Sequence, residues 1–188
     1  MSRLIAGTAG GRRLVMPSGS STRPTSDRAR EGLFSTLRSL RSGRMDGSFL
    51  DLYAGSGAVG LEAASRGAVP VMLVERDPRA VRAIRANLAA LALAGVEVRV
   101  DEVGRLLTAP VPAGYDHAGF DVVFLDPPYA EAVEPTLELL VGAGWIAPGG
   151  VVAVERASRD TGPLWPAGME PIRSRRYGEA TLWYGRGS

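Results

Sequence analysis

From about residue 48 onward, short apolar runs alternate with stretches of helical periodicity, and this alternation leaves a chain of 188 residues few folds to choose from. Strands joined through helices pair in parallel, and a parallel sheet needs cover on both faces. Strands are predicted at 49–53 (FLDLY), 71–75 (VMLVE), 96–100 (VEVRV), 121–125 (DVVFL) and 150–155 (GVVAVE). Helices fit between them at 57–66, 78–94 and 131–143, the second opening on Asp77-Pro78, a proline suited to a first helical turn. The pattern then changes. PIRSRRY and ATLWYG flank Gly178 and read as an antiparallel hairpin, which brings the α/β sheet to seven strands.

Ahead of this body, RLIAGTAGGRRLVMP reads as a small hairpin turning at Gly10-Gly11. A helix is expected from about Ser26, with Leu33, Phe34, Leu37 and Leu40 on one apolar stripe. PSGSST, residues 17–22, reads as a linker. The expected division is a basic extension over 1–44 and a sheet domain over 45–188. Charge follows it: residues 1–44 hold nine arginines against Asp27 and Glu31, residues 45–155 hold seven against fifteen acids, and residues 156–188 hold six against three. A cationic arm beside an acidic body suits a polyanionic partner. The alternative is a solvated basic extension without a role.

Composition removes several chemistries. Without cysteine there are no disulfides, thiolate metal sites or cysteine nucleophiles. The single histidine, His117, lies in GYDHAGF and reads as a loop residue, not a base. No apolar run reaches the roughly 18 residues of a membrane span, and the start lacks a signal-peptide core, so a cytoplasmic location without membrane contact is expected. Carboxylates, backbone and aromatics must carry the function.

Gly55-x-Gly57-x-x-Gly60 stands between a predicted strand and helix, where glycines let backbone approach a nucleotide-like cofactor. Glu75, at the end of the next strand, is placed to accept the hydroxyls of a ribose. Asp51, near a buried strand end, costs several kcal/mol unless paired. S-adenosylmethionine offers it an ammonium and a sulfonium, whereas a dinucleotide brings a repelling pyrophosphate; an acid that only bonds nearby backbone is the structural alternative. At the end of the third strand Asp101, Glu102 and Val103 are expected to read adenine, with the acid left undecided between the first two. No metal is required.

DPPY, residues 126–129, leaves the strand DVVFL at the edge where open α/β sheets hold ligands. An exocyclic amine of a nucleobase is a poor nucleophile because its lone pair is delocalised into the ring. Asp126 and the carbonyl of Pro127 can accept its two hydrogens and turn that lone pair outward. Pro127 and Pro128 fix φ and bring no competing N–H. Tyr129 can stack on the base, a contact worth about 1 to 3 kcal/mol. A proline-stiffened strand exit with Tyr129 in the core is the alternative.

These residues carry a resemblance. DLYAGSGAVGLEAASRGA, VERDPRAVRAIRANL with Asn87, DPPY and RRYGEATLWY resemble the class I, S-adenosylmethionine-dependent methyltransferases that modify exocyclic amines. RLIAGTAGGRRL and TRPTSDRAREGLF are similar to the RsmD family, which methylates N2 of a guanine in 16S ribosomal RNA. The resemblance spans nearly the whole chain. It implies a Rossmann-like fold, transfer to guanine 966 of that RNA, and a substrate met in an assembled or partly assembled 30S particle; a monomer is expected. It puts Asp51, Tyr53, Gly55, Gly57, Glu75 and Arg76 at cofactor positions and Asp126 to Tyr129 at the catalytic loop. Arg12, Arg13, Arg23, Arg28 and Arg30 are the expected RNA contacts, each against the alternative of a helix-surface or lid arginine. Pro70 and VDEVGRL depart from the family pattern, the second leaving the adenine contact open.

Other readings stay in play. DPPY cannot tell one amine from another, so an N6-adenine methyltransferase acting on DNA or RNA is the main alternative. An NAD-linked oxidoreductase lacks hydride-handling residues, and a binding-only protein has no use for an intact DPPY.

Overall fold

A computed structural model of the chain describes residues 2–17, 26–112, 115 and 119–188. The linker residues 18–22, TRPT with Arg23, and His117 lie outside the described residues.

Local chemistry sets the element ends. Helix α1 (Asp27–Leu40) begins where the Ser26 hydroxyl accepts a hydrogen bond from Ala29 N at 3.1 Å. Strand β1 (Phe49–Leu52) leads through the glycine loop into α2 (Ala58–Ser65) and then β2 (Val71–Glu75). Helix α3 (Pro78–Leu91) is capped by Asp77, which accepts from Arg79 N at 2.9 Å, and it ends at Ala92 in a left-handed conformation, three residues short of the predicted end. After β3 (Val96–Val100) comes a five-residue helix, α4 (Val103–Leu107), that periodicity is too short to reveal. Strand β4 (Phe120–Leu125) precedes α5 (Glu134–Gly142), which starts later than 131 because Pro135 takes its first turn. Strand β5 (Ile146–Ala157) is longer than the predicted 150–155, and β6 (Met169–Tyr177) and β7 (Ala180–Gly187) form the expected hairpin.

The seven strands lie in the order β3-β2-β1-β4-β5-β7-β6. Strands β1 to β5 pair in parallel; β7 pairs antiparallel with both β5 and β6. Alternation sends Phe49, Val71, Leu73, Val122 and Phe124 into a core under α1, α2 and α3, and Leu50, Leu52, Met72, Val74, Val123 and Leu125 into a second core under α4 and α5. A register shift between Phe120 and Val122 breaks the alternation, so Phe120 stacks on Trp145 in the second core. Among the described residues no helix is long and apolar enough to cross a membrane.

The N-terminal hairpin carries one bridge, Arg3 to Arg13. Buried polar groups bind it to the body. Glu62 accepts from Ile5 N and Ala6 N at 2.7 and 2.9 Å, and Asn87 exchanges hydrogen bonds with both backbone groups of Val15. Leu4, Ala9 and Leu14 join the same core as α1 to α3.

Candidate active site

At the carboxyl ends of the parallel strands a cleft of about 1180 Å³ opens, lined by the glycine loop, Glu75, the start of α4, DPPY and the turn between β6 and β7. It lies where open parallel sheets hold ligands.

The three glycines have different tasks. Gly55, at φ 57°, bends the loop into open space, and Gly57, at φ 79°, caps α2 in a left-handed conformation. Gly60 has an ordinary backbone, but a Cβ there would sit 2.0 Å from Leu73 Cδ2 and 3.1 Å from Asp51 Oδ2. Its absence lets α2 settle onto β1 and β2. Tyr53 turns the chain out of β1 at φ 64° and donates its hydroxyl to Glu131 Oε1 at 2.5 Å. Burial and that carboxylate push the phenol up to about 12. The loop and the segment after DPPY are thereby joined, a link invisible in sequence because 78 residues separate its ends.

Asp51 shares the α2 side of β1 with Phe49 and is 1% exposed. Its Oδ2 accepts from Gly60 N at 2.8 Å, while Oδ1 is buried with no hydrogen-bond partner. Burial, opposed by the Gly60 hydrogen bond and reinforced by Glu75, raises its carboxyl to about 7. The backbone bond of the structural alternative is thus made by one oxygen and leaves the other without a partner. The unpartnered oxygen in a cleft of acids fits a cationic group such as the ammonium of S-adenosylmethionine, and does not fit a pyrophosphate.

Glu75 accepts from Gly55 N at 2.7 Å through Oε2 and from Arg76 N and Asp77 N at 2.8 Å through Oε1. Oε1 is filled by its two amides, whereas Oε2 keeps acceptor capacity for a sugar hydroxyl. Arg76 is exposed at the rim. Beyond β3, Asp101 is held by Arg105 Nε at 2.7 Å and Glu102 N at 2.8 Å, while the Glu102 side chain is exposed at the cleft above the buried Val103.

DPPY forms the opposite wall. Tyr129 is 58% exposed and lines the cleft, so it is not core. Burial, then Glu155 and Asp51, raise the Asp126 carboxyl well above its ordinary range, with Arg156 acting against them. Arg156 on β5 also fixes the loop: its guanidinium donates to Tyr129 O at 3.0 Å and Glu131 O at 3.1 Å and lies 3.5 Å from Asp160. Glu131, Glu155 and Arg156 have no signal in the sequence, and the Tyr177–Ala180 turn reads there only as a hairpin turn and part of a family motif, without a place at the cleft. Only contact across the sheet gives them their place.

The arm arginines separate. Arg12 and Arg13 are exposed, Arg12 donating to Ala90 O at 2.8 Å, and Arg28 is exposed at the cleft mouth. Arg30 corrects the expectation of a surface contact. It is 0% exposed, bonded to Asp27 and the carbonyl of Arg3, and 3.7 Å from Glu62, so it cannot reach a phosphate from there. It lies on the inward side of α1, next to Leu33, Phe34 and Leu37 in the buried set.

This sheet order, with a glycine loop and facing acids where the parallel strands end, defines a class I, S-adenosylmethionine-dependent methyltransferase. Within that class the chain belongs to the family described as Conserved hypothetical protein 95, the RsmD family, whose model matches residues 2–186. The Ribosomal RNA small subunit methyltransferase D of Escherichia coli K12 is 35% identical over 178 residues, covering 94% of this chain and 85% of that protein. The Haemophilus influenzae protein of the same name is 35% identical over 154 residues, covering 81% and 77%. A solved structure of a hypothetical protein from Thermus thermophilus superposes with a TM-score of 0.80 at 36% identity, covering 98% of both chains.

Proposed function

We propose that this chain methylates the exocyclic N2 of a guanine in 16S ribosomal RNA, guanine 966 by family likeness, within an assembled or partly assembled 30S subunit. The observation that carries the reading is that Asp126, Pro127 and an exposed Tyr129 face the same cleft as the unpartnered oxygen of Asp51. When bound, S-adenosylmethionine supplies an electrophilic methyl on a sulfonium. The chain's own residues do the rest. Asp51 takes the ammonium through Oδ1, Glu75 the ribose through Oε2, and Glu102, left free by the pairing of Asp101 with Arg105, the adenine amine. Tyr129 stacks on the guanine while Asp126 and the Pro127 carbonyl accept its two N–H hydrogens. As the new N–C bond forms and the methyl C–S bond breaks, its electron pair staying on the sulfur of the departing thioether, the amine loses one proton, and the Asp126 carboxylate, raised by burial and its acidic neighbours, accepts it. Residues 1–44 act as lid and RNA grip, through Arg12, Arg13 and Arg28.

The test offers methyl-labelled S-adenosylmethionine with 30S particles, stripped 16S RNA, DNA and total protein, and maps the labelled nucleoside. N2-methylguanosine in 16S RNA is expected; N6-methyladenosine would overturn the base assignment, and label confined to protein or DNA the substrate. Asp126→Ala should lower transfer by at least about 100-fold, while calorimetric cofactor affinity stays within about threefold.

A further inference from the structure

By position along the chain, α3 belongs to the acidic body. The fold places it elsewhere. The helix contains no acid, and on its solvent side Arg79, Arg82 and Arg85 occupy the first two turns, followed by exposed Ala86, Ala89 and Ala90. Three-residue spacing keeps the arginines within an arc of roughly 120°. Among the described residues no carboxylate pairs with any of them, although like charges at this spacing repel. Asp77, beside the row, caps the helix by accepting from Arg79 N, and Glu75 is turned into backbone amides. At one end the row continues into Arg76 at the cleft rim. At the other end the arm crosses the helix, with Arg12 on Ala90 O and Val15 on Asn87. The far layer has the opposite sign: α5 carries Glu134 and Glu138 and no base, and α4's Arg105 is paired with Asp101.

We infer that the exposed side of α3, continuous with Arg12 and Arg13, is a docking surface for the phosphate backbone of the RNA whose base enters the cleft. The inference rests on the RNA reading above and locates the strand relative to it. Arginines present rigid multidentate donors to phosphate, and the exposed alanines after Arg85 are short enough to let a backbone lie close as it passes toward the arm. The row runs away from the cleft rim, so phosphates flanking the target nucleotide meet it while the base is held at Tyr129.

The test compares R79Q/R82Q/R85Q in the full chain with the equal-charge control R159Q/R173Q/R175Q, whose residues sit after β5 and on edge strand β6. Binding to stripped 16S RNA and to 30S particles is measured across a salt series, with S-adenosylmethionine affinity by calorimetry and thermal melting as checks on folding. For the α3 variant, the slope of log affinity against log salt should fall by about 2 to 3, cofactor affinity should stay unchanged, and each single substitution should take about a third of the loss. An equal loss in the control would reduce the effect to net charge and overturn the inference. A loss on 30S particles with wild-type binding to bare RNA would assign the face to an acidic protein and overturn it too. If the wild-type chain itself neither binds nor labels 16S RNA, the functional reading fails, whereas wild-type binding with an unchanged slope in the α3 variant sinks only this surface.

Discussion

Asp51 divides its two oxygens between the fold and the cleft, and its ionisation follows from that division. Its carboxyl, raised from 3.8 to about 7 by burial, favours the ligand-free protein below pH about 4, and that contribution disappears as pH rises through 7. The loss amounts to up to about 4 kcal/mol at pH 8. Asp51→Asn should therefore melt at a higher temperature than the parent near pH 8 without cofactor, with a flatter dependence on pH between 4 and 8. The same variant should bind S-adenosylmethionine at least about 10-fold more weakly by calorimetry, since a hydrogen bond to a charged group is worth about 1.5 to 3 kcal/mol. Parental affinity should fall as pH drops below 7, because protonated Asp51 no longer attracts an ammonium. Gly60→Ala is the corresponding backbone test. A methyl 2.0 Å from Leu73 Cδ2 must displace that buried side chain or α2 itself, and a loss of about 1 to 3 kcal/mol in denaturant melts is expected, together with weaker cofactor binding.

Elements meet at the site through side chains that belong to neither of the two ligand loops. Arg156 ties β5 to the segment after β4 by donating to two carbonyls, and it opposes the acids around Asp126. Arg156→Lys keeps the charge but loses the fork, so transfer should drop by about 10- to 100-fold in kcat with cofactor affinity retained. Arg156→Met should in addition move the acid limb of the pH–rate profile upward, because the cation that lowers Asp126 is gone. A purely structural role would leave that limb in place. The sequence made the strands, the glycine loop and DPPY legible because each depends on local pattern: apolar alternation, positive φ and fixed proline geometry. Helix α4 and the start of α5 were not, since five residues carry no periodicity and Pro135 sets its boundary through a backbone rule that outweighs the apolar pattern.

Across the whole molecule the N-terminal arm is part of the body, fastened by Glu62, Ser65 and Asn87. Glu62 is fully buried and serves Ile5 N, Ala6 N and Arg66 at once, with Arg30 at 3.7 Å. Glu62→Ala strands two backbone amides and the buried Arg30, so a loss of about 3 to 5 kcal/mol is expected in denaturant melts. Protease should then cut near the arm before the sheet unfolds, which limited digestion with mass spectrometry would read. If cleavage and global unfolding coincide, the arm has no separate stability.

The sequence alone determined which residues form the sheet and where the glycine loop and DPPY leave it, because these are properties of neighbours along the chain. It could not determine which arginines face water. Arg30 stands among the exposed arginines of the arm by position and is buried by the turn of α1, while Arg79, Arg82 and Arg85 stand in an acidic segment and come to the basic side. Net charge counted along a chain averages over both layers of the sheet; only packing sorts the residues by layer, and a ligand meets the sorted surface.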